Sequence, residues 1–159
     1  MNPPIAELLP HSGAMVLLDE LLFCEGERLR AKATVRPGPY SDADGSLPSW
    51  LGIEILAQGV AAWVGWEAWQ AGREVQLGFL LGTRRYECEL ERLPAGMVLI
   101  VDVERSMQDG NGMGVFECSL FDGAIDGASA IARARLNLYQ PNDVVDYTQE
   151  PPPQESISA

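Results

Sequence analysis

The sequence predicts an α+β fold in which a curled antiparallel sheet wraps one long central helix. Three observations carry that reading. Residues 48–72 form one helix-length apolar run. Two strand-like segments precede it and four or five follow, each bounded by turn chemistry. A helix that is apolar almost all round has to be buried, and a sheet curling around it buries it most economically. At 159 residues the chain has the size of one domain and can bury a core without disulfide or metal staples.

Taken in order, residues 3–9 can form a short helix that Pro10 stops. Residues 15–23 read as a strand, with helix as the alternative for so short an apolar run. Residues 28–35 alternate, with Arg28, Arg30, Lys32 and Thr34 one way and Leu29, Ala31, Ala33 and Val35 the other. That is a half-buried strand with a basic outer face. Residues 37–47 are a loop rich in Pro, Gly, Asp and Ser. Pro48 and Ser49 open the long helix, and Ala71-Gly72 end it. Strand character returns at 75–81, 84–90, 97–106, 114–121 and 130–139. Asn111-Gly112 signals a hairpin, which accounts for the nearby glycines better than a nucleotide-binding loop, since no helix follows them. Residues 1–140 are therefore expected to be a single domain, and the acidic, Pro-rich stretch 141–159 a disordered tail. One long helix inside such a sheet is the hotdog fold, and a fold by itself gives no function.

On a helical wheel of about 100° per residue, Glu54, Gln58, Ala61, Gly65, Ala68 and Gly72 cluster within roughly 40° of Glu54. Leu56, Val60 and Trp63 lie opposite. One side of the helix is thick and apolar, and the other is thin with a polar head. A thin stripe admits another backbone or a flat ligand, and a dimer meeting at the long helices or adjoining strands is expected from it. Glu54 is the notable residue, because burying an unpaired carboxylate is expensive, and a desolvated carboxyl is the kind of group expected of an acid working at neutral pH. The alternative for Glu54 is a structural carboxylate held by backbone or by an arginine such as Arg84.

Composition excludes several function classes. The net charge of -12 and pI near 4.3 disfavour nucleic acid and anionic membrane surfaces. Glu54, Gln58, Glu67 and Gln70 interrupt the only run long enough for a membrane span, and the N-terminus lacks a signal-peptide pattern. Cys24, Cys88 and Cys118 are scattered, as expected of reduced thiols in the cytoplasm. His11 is the single histidine, so no zinc pattern exists. Neither a nucleophile elbow nor a cysteine beside a histidine is present.

Leu9-Pro10-His11-Ser12-Gly13-Ala14-Met15-Val16-Leu17-Leu18-Asp19 resembles the opening of FabZ-type 3-hydroxyacyl-acyl-carrier-protein dehydratases. Pro48-Ser49-Trp50-Leu51-Gly52-Ile53-Glu54-Ile55-Leu56-Ala57-Gln58 resembles the start of their central helix, where Glu-x-Leu-Ala-Gln carries the acidic catalytic residue. With Gly78-Phe79-Leu80-Leu81-Gly82-Thr83-Arg84-Arg85-Tyr86-Glu87 and Asn137-Leu138-Tyr139-Gln140-Pro141, these segments are similar to the ApeP-like hotdog proteins of aryl-polyene pigment clusters. The resemblance spans roughly residues 3–141. One departure stands out: FabZ-type enzymes keep a catalytic histidine in the loop before the helix, and here an ungapped match puts Tyr40 there.

The resemblance implies removal of water from a 3-hydroxyacyl thioester in fatty acid, polyketide or aryl-polyene elongation. Such an elimination needs a base for the α-proton, an acid for the departing hydroxyl, and donors for the carbonyl oxygen. Glu54 is the expected acid and His11 the candidate base, although a packing or capping role competes for His11. Gln58, Arg84, Arg85 and Tyr40 are the expected substrate-binding residues. The arginines suit a phosphopantetheine phosphate or an acidic carrier, or else simply answer Glu87 and Glu89. No cofactor or metal is expected beyond the phosphopantetheine arm of an acyl carrier protein, or coenzyme A, that carries the substrate. A homodimer or a heterodimer with another hotdog protein is expected. Two other readings remain: a hotdog acyl thioesterase in which Glu54 activates water, and a non-catalytic hotdog subunit that serves a partner. The missing loop histidine favours the last.

Overall fold

The long apolar run forms α1, Leu51–Gln70, in the computed structural model, which describes residues 3–10, 13–73, 79–108 and 113–139. The side chains of residues 14, 79–81 and 84 lie outside this description. The expected turn at 109–112 and the expected tail at 141–159 also fall outside it.

Around α1 runs a six-stranded antiparallel sheet in the order β1-β2-β6-β7-β8-β4. Its strands are β1 (Glu20–Glu25), β2 (Arg28–Thr34), β4 (Phe79–Cys88), β6 (Val98–Gln108), β7 (Met113–Asp122) and β8 (Ala132–Tyr139). A two-stranded ribbon of β3 (Leu47–Pro48) and β5 (Arg92–Leu93) ties the loop before the helix to the segment that follows β4. Single helix, curled sheet and strand order together are the hotdog architecture that the sequence predicted.

Alternation decides which face of the sheet is wet. Leu29, Ala31, Leu99, Val101, Val103, Phe116, Leu120 and Leu136 point inward and are sealed, while Arg28, Arg30 and Lys32 point out. Leu56, Val60 and Trp63 complete the core from the helix side. Each such fully buried aliphatic side chain stabilises the fold by about 1.5–3 kcal/mol. The helix comes close to the sheet because it carries glycine there. A Cβ on Gly59 would stand 2.9 Å from Val101, and one on Gly52 would collide with the Tyr86 hydroxyl. Trp63 packs edge-on to Phe116 at 5.5 Å and donates to the Gly26 carbonyl at 3.0 Å.

Three expectations need correction. The expected strand over 15–23 starts late: the short N-terminal helix is present as a 3-10 helix, Ile5–Leu8, and a second 3-10 helix covers Gly13–Met15, so β1 begins only at Glu20. Segments 75–81 and 84–90 do not form two strands about a turn at Gly82. The described part is one continuous β4, with register shifts between Leu80 and Gly82 and between Thr83 and Arg85. A bulge absorbs an extra residue without ending a strand. Finally, the thin stripe of α1 is not left open for a second helix. Ile5–Leu8 lies against it, Met15 and Leu17 are tied to it through Gln58, and a Cβ on Gly65 would run into the Leu8 carbonyl.

Candidate active site

Glu54 is the fourth residue of α1 and is half-buried. A carboxylate in a first helical turn is favoured by the helix dipole. The helix begins at Leu51 rather than at Pro48 and Ser49. The turn before it consumes donors, since Gly52 N–H bonds the Ser49 carbonyl at 2.9 Å and Ile53 N–H bonds that of Trp50 at 3.1 Å. Those two amides are therefore committed locally and do not form an anion hole.

Gln58, one turn further, is fully buried. Its Nε2 donates to the Met15 carbonyl at 2.7 Å, and its Oε1 accepts from Leu17 N–H at 2.8 Å. The same amide nitrogen lies 3.4 Å from Glu54 Oε1. Both ends of the side chain are engaged with protein, so Gln58 holds the segment 13–17 on the helix and faces Glu54 at its margin.

Tyr40 closes a chain of contacts. Its hydroxyl donates to Met15 Sδ at 3.3 Å. The loop tyrosine, the N-terminal strap and the helix carboxylate are thus connected as Tyr40–Met15–Gln58–Glu54. Beside this chain lies a cavity of about 230 Å³. Val16, Leu17, Leu47 and Ile55 give it apolar walls, and Tyr40 forms part of the loop side. Ile55 lines the cavity, whereas its neighbour Glu54 is not among its walls.

The polar groups at the cavity are largely satisfied. Thr34 donates to Asp19 at 2.6 Å, and Arg36 pairs with the same carboxylate at 2.7 Å. Sequence reasoning singled out neither Asp19 nor Arg36, although Asp19 closes the first quoted motif. The loop is stapled from behind: Asp44 accepts from both the amide and the hydroxyl of Ser46, which holds its carboxyl below the usual range, and Arg92 reaches Asp42 and Ser46. A loop so fixed presents Tyr40 from a defined backbone.

Of the other expected site residues, His11 lies outside the described residues, two positions before Gly13 on the cavity wall. Arg84 is the extra residue of the second β4 irregularity, and its side chain is not described. Arg85 is exposed on the outer face of the sheet, away from the cavity. Among the described residues, no cluster of histidine, cysteine and carboxylate side chains could hold a metal, and no helix is long and apolar enough to cross a membrane.

A hotdog sheet with a carboxylate near the start of its helix and a cavity against the next residue is the arrangement that the dehydratase resemblance implies. Comparison with known proteins bears this out. A family model described as ApeP-like, ApeP dehydratase, matches residues 3–149. The solved dehydratase heterocomplex ApeI:P from Xenorhabdus doucetiae contains a chain 30% identical, with a TM-score of 0.80, covering 94% of this chain and 100% of that one. The chain therefore belongs to the ApeP-like dehydratase family, the aryl-polyene hotdog dehydratases whose motifs the sequence carries. More distant likenesses show the fold alone. Zebra fish thioesterase superfamily member 2 is 10% identical with a TM-score of 0.62, covering 85% of this chain and 91% of that one. The Escherichia coli PaaI protein is 12% identical with a TM-score of 0.56, covering 76% and 82%. No sequence among the curated proteins matches the chain.

Proposed function

We propose that this chain is the acid-bearing subunit of a hotdog dehydratase heteromer that removes water from a 3-hydroxyacyl thioester. The substrate rides on the phosphopantetheine arm of an acyl carrier protein, in aryl-polyene elongation in the cytoplasm, and no diffusible cofactor takes part. The observation that carries the reading is the place of Glu54, half-buried in the first turn of α1 beside an apolar cavity.

In the reaction a base removes the α-proton of the thioester. The electron pair forms the new Cα–Cβ double bond, and the β-hydroxyl leaves as water with a proton from Glu54. The cavity beside Ile55 takes the acyl chain, with the Tyr40 hydroxyl as its donor. Arg84 and Arg85 meet the carrier or its arm. His11 is this chain's one imidazole and its own candidate for the base. The alternative is an imidazole from the second subunit, which Tyr40 at the loop position and the heteromeric nature of the ApeI:P relative favour. The seam for that subunit is the outer edge of β4, which pairs only with β8 among the described strands. A long unpaired edge strand is a ready template for another chain.

The test is enoyl absorbance after mixing a 3-hydroxyacyl-carrier substrate with this chain, alone and co-purified with its hotdog partner. Glu54→Gln in the complex should abolish turnover while leaving assembly intact. Full activity of that variant refutes the assigned acid. Release of free thiol in place of enoyl product makes the complex a thioesterase. Loss of turnover in His11→Gln assigns the base to this chain, and unchanged turnover assigns it to the partner.

A further inference from the structure

The outer face of the sheet carries a feature that the elimination chemistry does not use. β4, β8 and β7 bring Arg85, Arg133 and Arg135 to one concavity of about 270 Å³, on the opposite side of the sheet from α1. Arg85 and Arg135 stand directly opposite each other in the β4–β8 register. Like charges in that position destabilise a sheet unless something answers them. Glu117 takes Arg135 at 2.7 Å. Glu87 stands opposite Arg133 but forms no ion pair with it, and among the described residues neither Arg85 nor Arg133 forms one. Most other described basic groups do pair: Arg28 and Arg30 with Asp102, Lys32 with Glu20, Arg36 with Asp19, Arg92 with Asp42 and Arg105 with Glu27. Two unanswered arginines beside a third, in a chain of net charge -12, form a local positive site against an opposing field.

We infer that this face docks the acidic surface of the carrier protein that delivers the substrate, through Arg85 and Arg133. This rests on the proposed dehydratase reading and names where its partner sits. The spacing argues for a helix. Arg85 and Arg133 are diagonal neighbours on adjacent strands, about 7–8 Å apart at the backbone. Carboxylates at i and i+4 of a helix lie about 5–6 Å apart, a difference that long arginine side chains absorb. Guanidinium forks grip carboxylates bidentately, so two of them fix the register of such a helix.

The experiment measures holo carrier protein binding to the full chain in its complex, as a function of salt, for wild type, Arg85→Glu/Arg133→Glu and Arg73→Glu. Arg73 is exposed at the far end of α1 and serves as the remote charge-reversal control. The double variant should bind at least tenfold more weakly and with a shallower salt dependence, and the control should match wild type. In turnover, Arg133→Glu alone should lower kcat/KM for the carrier-bound substrate severalfold, while that for a short N-acetylcysteamine thioester stays unchanged. If the double variant fails to fold, Arg133→Ala is read in the same way. Equal binding by variant and wild type overturns the docking site, as does an equal loss in Arg73→Glu. Displacement of the carrier by millimolar inorganic phosphate also overturns it, in favour of a small phosphate site. Failure to turn over either thioester instead counts against the dehydratase reading, and the binding result still decides the docking site.

Discussion

The Gln58 amide nitrogen lies 2.7 Å from the Met15 carbonyl, across 43 positions of sequence, and the other end of the same side chain accepts from Leu17 N–H. This clamp places the strap 13–17 as one wall of the cavity. It is fully buried, so removing it leaves two backbone groups unsatisfied. An unsatisfied buried polar group costs about 1–3 kcal/mol. Gln58→Leu should therefore lower stability in urea titration by about 2–4 kcal/mol and speed hydrogen exchange at the Leu17 amide. Wild-type exchange at that amide would refute the clamp.

Gly65 gives a second prediction with opposed terms. Alanine in a helix interior is about 1 kcal/mol better than glycine by propensity. A Cβ here, however, runs into the Leu8 carbonyl, which is backbone and cannot swing aside. The collision should win, so Gly65→Ala should lower Tm by several degrees, as a loss of about 1–2 kcal/mol does in a domain this size. A raised Tm would mean that the strap does not rest on the stripe.

How much of this was legible follows from the range of each interaction. α1 was legible because a run apolar on every face has one solution, burial. β2 was legible because Leu29, Ala31 and Ala33 alternate with charges over a whole strand. Glu54 was conspicuous as the one acid in the first half of that run. The strap was not: residues 15–19 are apolar enough to read as a strand, and what fixes them instead is one side chain 41–43 positions away. β4 was split at Gly82 because glycine punctuates turns and bulges alike. The strand pattern of 130–139 singled out neither Arg133 nor Arg135, and only the β4–β8 register sets Arg135 against Arg85.

Alkaline pH should unfold the protein early. Burial, reinforced by Glu67, pushes the Cys24 thiol from 9.0 up to about 12. Burial also raises Cys118 and Tyr86. In each case the unfolded chain loses its proton first, so it holds fewer protons than the native state above the ordinary pKa, and stability falls as pH rises. For Cys24 that window runs from about 9 to about 12. Urea midpoints should hold below pH 9 and decline above it, and Cys24→Ala/Cys118→Ala should flatten the decline. Rapid reaction of Cys24 with a thiol reagent at pH 8 in the folded protein would contradict this.

Tyr40 separates holding from touching. Among the described residues its hydroxyl donates only to Met15 Sδ, a weak acceptor, and the ring is half-exposed. Removing the hydroxyl therefore leaves no strong partner stranded, and Tyr40→Phe should keep stability within about 0.5 kcal/mol of wild type. If the hydroxyl donates to the bound acyl thioester, the same change removes one hydrogen bond worth about 0.5–1.5 kcal/mol, or roughly a twofold to tenfold loss in kcat/KM. The expected result is that loss with unaltered thermal unfolding. A drop in both together would make Tyr40 a brace for the strap, and unchanged kinetics would remove it from the substrate-binding set.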